Sequence, residues 1–200
     1  MKKFILIVFL FNLSVLSAMS NTILFLGDSL TEGLGVSKED AFPKLVETLI
    51  QTELKKSIIV INGGVSGSTT SDGLARLKWY LKKKPYLVFL ALGTNDGLRG
   101  LDLAQSQENL EEIISHAQAS HAKVILAGML IPPNYGPEYS EQFKKMYQNL
   151  QIKYKLRSMP FLLDGVAGIK EFNQKDGIHP NEKGHKHIAE NVFEFIKEDI

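Results

Sequence analysis

Five short apolar runs, each bounded by Gly, Pro or Asn, recur along the chain at Ile23 to Leu26, Ile58 to Ile61, Tyr86 to Leu92, Val124 to Leu130 and Phe161 to Leu163. Runs of this length without polar alternation are the pattern of strands buried on both faces. The stretches between them carry a helical period instead. Phe42, Leu45, Val46, Leu49 and Ile50 form one stripe, with Asp40 as its expected N-cap and Pro43 tolerated in the first turn. Leu74, Leu77 and Leu81 mark a second helix, Leu110, Ile113, Ile114 and Ala117 a third, and Phe143, Met146, Tyr147 and Leu150 a fourth. A last helix is expected from about Asn181 to Lys197. Strand and helix in alternation argue for βαβ units, hence a five-stranded parallel sheet with helices on both faces. Ligands of such sheets bind beyond the carboxyl ends of the strands, where the strand order reverses. For the order 2-1-3-4-5 that point lies between strands 1 and 3.

The first 20 residues stand apart. Lys2 and Lys3 precede an apolar run from Phe4 to Leu16, and Ser17-Ala18-Met19-Ser20 closes it with small residues. This is the pattern of a secretory signal peptide, cleaved before Asn21, and the apolar run falls short of the roughly 20 residues that span a bilayer. A retained anchor is the alternative. Residues 21–200 are then one domain, long enough for a sizeable core, in a periplasmic or secreted setting. Of 23 basic and 22 acidic residues, two lysines fall in the leader, so the remainder carries a net charge of −1. Nucleic acid is therefore not an expected partner, and a monomer is the default. The chain has no Cys, which excludes disulfides, thiolate metal sites and a thiol nucleophile. No metal or other cofactor is called for.

The chemistry-bearing residues fall at the expected sheet edge. Gly27-Asp28-Ser29-Leu30 follows the first strand, and Asp176-Gly177-Ile178-His179 precedes the last helix. A serine hydroxyl is a poor nucleophile until a base lies within hydrogen-bond reach and donors face the oxyanion formed on attack. His179 is the candidate base for Ser29, Asp176 the carboxylate that orients it, and Gly177 the turn residue between them. Asn95, in Leu92-Gly93-Thr94-Asn95-Asp96-Gly97 beyond the third strand, offers a side-chain amide to the oxyanion. Gly67, in Asn62-Gly63-Gly64-Val65-Ser66-Gly67-Ser68, offers a backbone N–H, and the N–H of Ser29 is a third donor. Ordinary turn residues are the plain alternative for Asn95 and Gly67. Leu98, Leu101, Met129, Leu130 and Ile131 are candidates for an acyl groove, with Tyr135 and Tyr139 in the following loop.

These blocks carry a resemblance. The chain resembles the GDSL, or SGNH, hydrolases, whose Ser, Gly, Asn and His blocks it matches in order over nearly all of the sequence after residue 20. Gly73-Leu74-Ala75-Arg76-Leu77, Gly93 to Gly100 and Pro133-Asn134-Tyr135-Gly136 are similar to the small multifunctional branch with thioesterase, arylesterase and lysophospholipase activity. Thr94 departs from that branch, which often has a second glycine there, and Pro160 to Lys175 shows no specific match. The resemblance implies a flavodoxin-like three-layer α/β/α sandwich on that five-stranded sheet and hydrolysis of small-molecule acyl esters or thioesters through an acyl-enzyme. Two other readings compete: a carbohydrate acetylesterase, against which the single Trp79 argues, and a non-catalytic lipid carrier of the cell envelope, which has no need of a base poised on a serine.

Overall fold

Burial of the first apolar run sets the architecture. In a computed structural model that describes residues 21–200, strand β1 (Thr22–Gly27) is buried along its whole length. The segment read as a signal peptide lies outside the described residues. The elements that follow are α1 (Ser29–Glu32), α2 (Phe42–Glu53), β2 (Ile59–Gly64), α3 (Thr70–Tyr80), β3 (Leu87–Ala91), α4 (Thr94–Leu98), α5 (Leu103–Ala119), β4 (Lys123–Ala127), α6 (Pro137–Tyr154), β5 (Arg157–Met159) and α7 (Glu182–Ile196). The five strands are parallel in the order β2-β1-β3-β4-β5. Helices α2 and α7 pack together, as do α3, α5 and α6, so helices cover both faces of the sheet. No helix among the described residues is long and apolar enough to cross a membrane.

Register, more than any loop, decides where the functional blocks meet. Gly27 at the end of β1 pairs with Gly64 of β2 on one side and Ala91 of β3 on the other. The three segments that leave these strand ends carry Ser29, Gly67 and Asn95. Beneath them the core is tight: the Phe25 ring lies 5.0 Å from Phe89 and 5.6 Å from Phe42, tying β1 to β3 and to α2.

Four expectations need correction. Strand β2 is not buried on both faces: it lies at one edge of the sheet, with Ile59 exposed and Val60 and Ile61 half-buried. The fifth strand is Arg157–Met159 and not Phe161 to Leu163. Pro160 has no N–H to extend a ladder, and the chain turns back there, with Leu162 donating to the carbonyl of Gly128 at 3.0 Å. An edge strand also needs no apolar run: Arg157 pairs with Asp199 at 2.5 Å and stacks over Phe195. Strand β4 stops at Ala127, three residues short of Leu130. Helix α2, finally, is not capped by Asp40, whose carboxylate accepts from Ser37 Oγ at 2.7 Å; its N-cap is Ala41, with no side-chain bond. His185 of α7 takes over, its Nδ1 accepting the Phe42 N–H at 3.3 Å while its ring stacks on Phe42. The expected cap at Asn181 does form, its side chain accepting from Gly184 N at 3.1 Å.

His185 is 1% exposed, and its Nε2 has no partner among the described residues. Desolvation pushes its pKa down from 6.5 to about 4, with Asp40 pulling it up and His179 adding to the fall. The fold therefore holds this imidazole neutral, while the unfolded chain takes up a proton near pH 6.5. Stability from this group is complete above that pH and is lost as pH falls toward 4, by about 3 kcal/mol. Asp28 works in the opposite sense, because burial raises its carboxyl to about 6. The comparison that isolates His185 is thus with His185→Gln: urea denaturation at pH 7.5 and pH 4 should show the wild type losing about 3 kcal/mol more than the variant.

Candidate active site

Asp28 and Ser29 leave β1 at a turn that becomes α1 at once. The Asp28 carboxylate accepts the Leu30 N–H at 3.0 Å and so caps α1, with Ser29 its first residue. Ser29 is 8% exposed. Its Oγ lies 3.0 Å from His179 Nε2, across 150 residues of sequence. On the far side of the ring, His179 Nδ1 stands 2.7 Å from Asp176 Oδ2. The other carboxylate oxygen of Asp176 accepts the N–H groups of Ile178 and His179, each at 3.0 Å. Gly177 takes a φ of +78° in this turn, a left-handed conformation that glycine adopts without cost. The carboxylate is thus locked by its own loop before it reaches the imidazole. The His179 N–H bond and the contact with its ring together hold the Asp176 pKa down at about 2, against a smaller opposing desolvation, so the group stays ionised through the neutral range.

Asp28 has the reverse environment. It is 1% exposed, one of its oxygens has no partner among the described residues, and desolvation raises its pKa to about 6, opposed by the Leu30 N–H, His179 and Arg76.

Asn95 occupies the first turn of α4, and its Nδ2 donates to the carbonyl of Ser68 at 2.9 Å. That bond joins the asparagine block to the glycine block. Gly67, next to Ser68, takes a φ of +77°, and its carbonyl accepts from Arg99 Nη2 at 2.9 Å. Asp96 adds a third fastening, accepting the Thr70 N–H at 2.9 Å and the Thr70 hydroxyl at 2.7 Å. Ser29, Asn95 and His179 all line one cavity of about 440 Å³, with Asp176 behind the imidazole and Gly67 beside the Asn95 contact. Ser29, Asn95, His179 and Asp176 therefore meet in one place, while Gly67 stands outside the lining and is joined to it through the neighbouring Ser68.

The wall of that cavity was only partly legible. Leu98, Leu130 and Ile131 line it, as expected, joined by Leu30, Phe161 and Leu163. Met129 does not; it is 2% exposed within the core. Leu101 stands outside the lining, and the hydroxyls of Tyr135 and Tyr139 donate to the carbonyls of Leu98 and Leu101 at 2.9 and 3.1 Å, which anchors the turn after α4. The far wall, Phe161 to Asn173, comes from the segment between Pro160 and Lys175, which carries none of the blocks quoted above. Its apolar run Phe161 to Leu163, a strand by hydropathy alone, supplies two cavity-lining side chains, Phe161 and Leu163. Among the described residues no cluster of His, Asp or Glu is arranged to hold a metal ion.

The profile of the GDSL-like Lipase/Acylhydrolase family matches residues 25–187. Esterase TesA of Pseudomonas aeruginosa is 40% identical over 181 residues, covering 90% of each chain. Thioesterase 1/protease 1/lysophospholipase L1 of Escherichia coli K12 is 36% identical over 183 residues, 91% of this chain and 86% of that protein. Among solved structures, the psychrotrophic esterase EstA from Pseudoalteromonas sp., inhibited by monoethylphosphonate, superposes with a TM-score of 0.85 at 35% identity, covering 90% of this chain and 98% of that one. With strand order, serine turn and family blocks in agreement over nearly all of the described residues, the chain belongs to the GDSL-like lipase/acylhydrolase family and is an ester hydrolase of it.

Proposed function

We propose that Ser29, His179 and Asp176 form the catalytic triad of a hydrolase for apolar acyl esters and thioesters. The observation that carries the reading is the chain of contacts from Ser29 Oγ to His179 Nε2 at 3.0 Å and from His179 Nδ1 to Asp176 at 2.7 Å, at the wall of a largely apolar cavity. His179 accepts the Ser29 proton as Oγ attacks the acyl carbon, and the imidazolium is steadied by the ionised Asp176. The oxyanion of the tetrahedral intermediate takes hydrogen bonds from the N–H groups of Ser29 and Gly67 and from the Asn95 amide. Collapse returns the His179 proton to the departing alcohol or thiol and leaves an acyl-Ser29 ester. Water, deprotonated by His179, attacks that ester in turn; the acid leaves, and Ser29 regains its proton. The chemistry asks for no metal.

The cavity favours an acyl chain over a sugar. Leu30, Leu98, Ile131, Phe161, Leu163 and Ile178 supply much of its surface, and among the described residues no Lys or Arg lines it. Burying each methylene of a substrate there contributes about 0.8 kcal/mol, or roughly fourfold. A leader cleaved before Asn21 and a periplasmic or secreted, monomeric enzyme complete the reading.

Replacing Ser29 with Ala should abolish hydrolysis of p-nitrophenyl butyrate while circular dichroism stays native, and a fluorescent alkylphosphonate should label the wild type but not the variant. Residual turnover in a folded Ser29→Ala protein would remove the nucleophile assignment. In a p-nitrophenyl series from acetyl to hexanoyl, kcat/KM should climb about fourfold per methylene. A flat series, with faster release of acetate from acetylated sugars, would favour the carbohydrate acetylesterase. N-terminal sequencing of the exported protein should begin near Asn21; a start at Met1 would refute cleavage.

A further inference from the structure

One motif remains unused by this chemistry: Gly73-Leu74-Ala75-Arg76-Leu77 on α3. Arg76 points its guanidinium to the ends of the two strands that deliver the nucleophile and the glycine block. Its Nη1 donates to the carbonyl of Gly27 at 2.9 Å and to that of Gly63 at 2.6 Å, and its Nε to Asp72 Oδ1 at 3.0 Å. Its Nη2 reaches the hydroxyl of Ser68, and that hydroxyl in turn donates to Asp72. The Arg76 side chain is 16% exposed and Ser68 only 3%, so water competes weakly for these bonds. A planar fork that grips several acceptors at once resists rotation in a way a lysine ammonium does not.

Ser68 is the hub. Its hydroxyl belongs to Arg76 and Asp72, while its carbonyl takes one of the two N–H bonds of the Asn95 amide at 2.9 Å. With one N–H committed, the rotation of the amide is fixed, and the second N–H is left for the cavity that Asn95 shares with Ser29. Gly67, whose N–H is the other donor from this loop, precedes Ser68 directly.

We propose that Arg76, acting through Ser68, is a positioning residue for the oxyanion hole: it braces the strand ends of Gly27 and Gly63 and locks the carbonyl that orients Asn95. The inference rests on the reading of Gly67 and Asn95 as oxyanion donors. Arg76 touches no substrate. Its effect is on where donors sit when charge develops, and so on kcat more than on KM.

A double-mutant cycle on the purified enzyme tests this. Asn95→Ala alone should lower kcat about 100- to 1,000-fold. Ser68→Ala and Arg76→Lys should each lower kcat by roughly 10- to 100-fold with KM changed less than about threefold, since misplacing a catalytic group by 1 Å costs up to about 100-fold. In either background the further cost of Asn95→Ala should shrink at least about tenfold, because the amide has already lost its alignment. Thermal melts establish that the variants are folded. Should Arg76→Lys fail to fold, Ser68→Ala carries the test, as it removes a single hydroxyl and leaves the carbonyl in place. A folded Ser68→Ala enzyme in which Asn95→Ala still costs its full factor would overturn the proposal and make Arg76 a structural clamp only. If Asn95→Ala alone leaves kcat intact, the oxyanion assignment fails, and the inference with it.

Discussion

The site depends on the register of β1 between its two neighbours. A parallel ladder fixes which residues stand side by side, and a slip of one residue would turn every side chain of the strand to the opposite face. Here Ile23, Leu24, Phe25 and Leu26 are apolar and buried on both faces, so polarity does not choose the alignment; the fit of particular side chains does, Phe25 against Phe89 and Phe42, and Gly27 stands between Gly64 and Ala91. Ser29, Gly67 and Asn95 then emerge within a few residues of a common line. His179 arrives from the far end of the chain, on a loop held by Asp176 and followed by the Asn181-capped α7. Helix α7 is itself fastened to α2 by its buried apolar face and by the His185 bond to Phe42.

Two carboxylates near one imidazole have been given opposite electrostatic settings. Asp176 accepts two backbone N–H bonds and the His179 ring contact while nearly half of its side chain faces solvent, and it is held ionised at about 2. Asp28 accepts one backbone bond at 1% exposure, and burial lifts it to about 6. The Asp176 charge is thus constant across the neutral range. Asp28, the cap beneath Ser29, carries the desolvation cost instead, repaid in part by the helix turn that it starts.

Much of this is legible in the sequence. The buried strands β1 and β3, the helix stripes, the Asn181 cap and the turn at Gly177 follow from period and from local backbone chemistry, and both signals are carried by consecutive residues. What failed had non-local causes. Asp40 is a good N-cap by type, yet His185, more than 140 residues away, bonds the N–H that it was expected to take. Strand β5 carries Arg157 and Ser158, half-buried at the sheet edge, and Arg157 is satisfied by Asp199 and the Phe195 carbonyl from the C-terminal end. Met129 and Leu130 are neighbours of similar character, one in the core and the other on the cavity wall. Direction after a strand end decides between them, and hydropathy does not carry direction.

By itself the sequence determined the class of fold, the family and the residues able to perform nucleophilic acyl chemistry, because those depend on periodicity and on which functional groups are present at which spacing. Tertiary structure alone decided that Ser29 Oγ meets His179 Nε2 at 3.0 Å, that Ser68 bonds Arg76 through its hydroxyl and the Asn95 amide through its carbonyl, and that Phe161, Leu163 and Asn173 line the same cavity as Ser29. These are distances between segments remote in the chain. They are set by sheet register and helix packing, in which every element takes part, and no local stretch of residues encodes them.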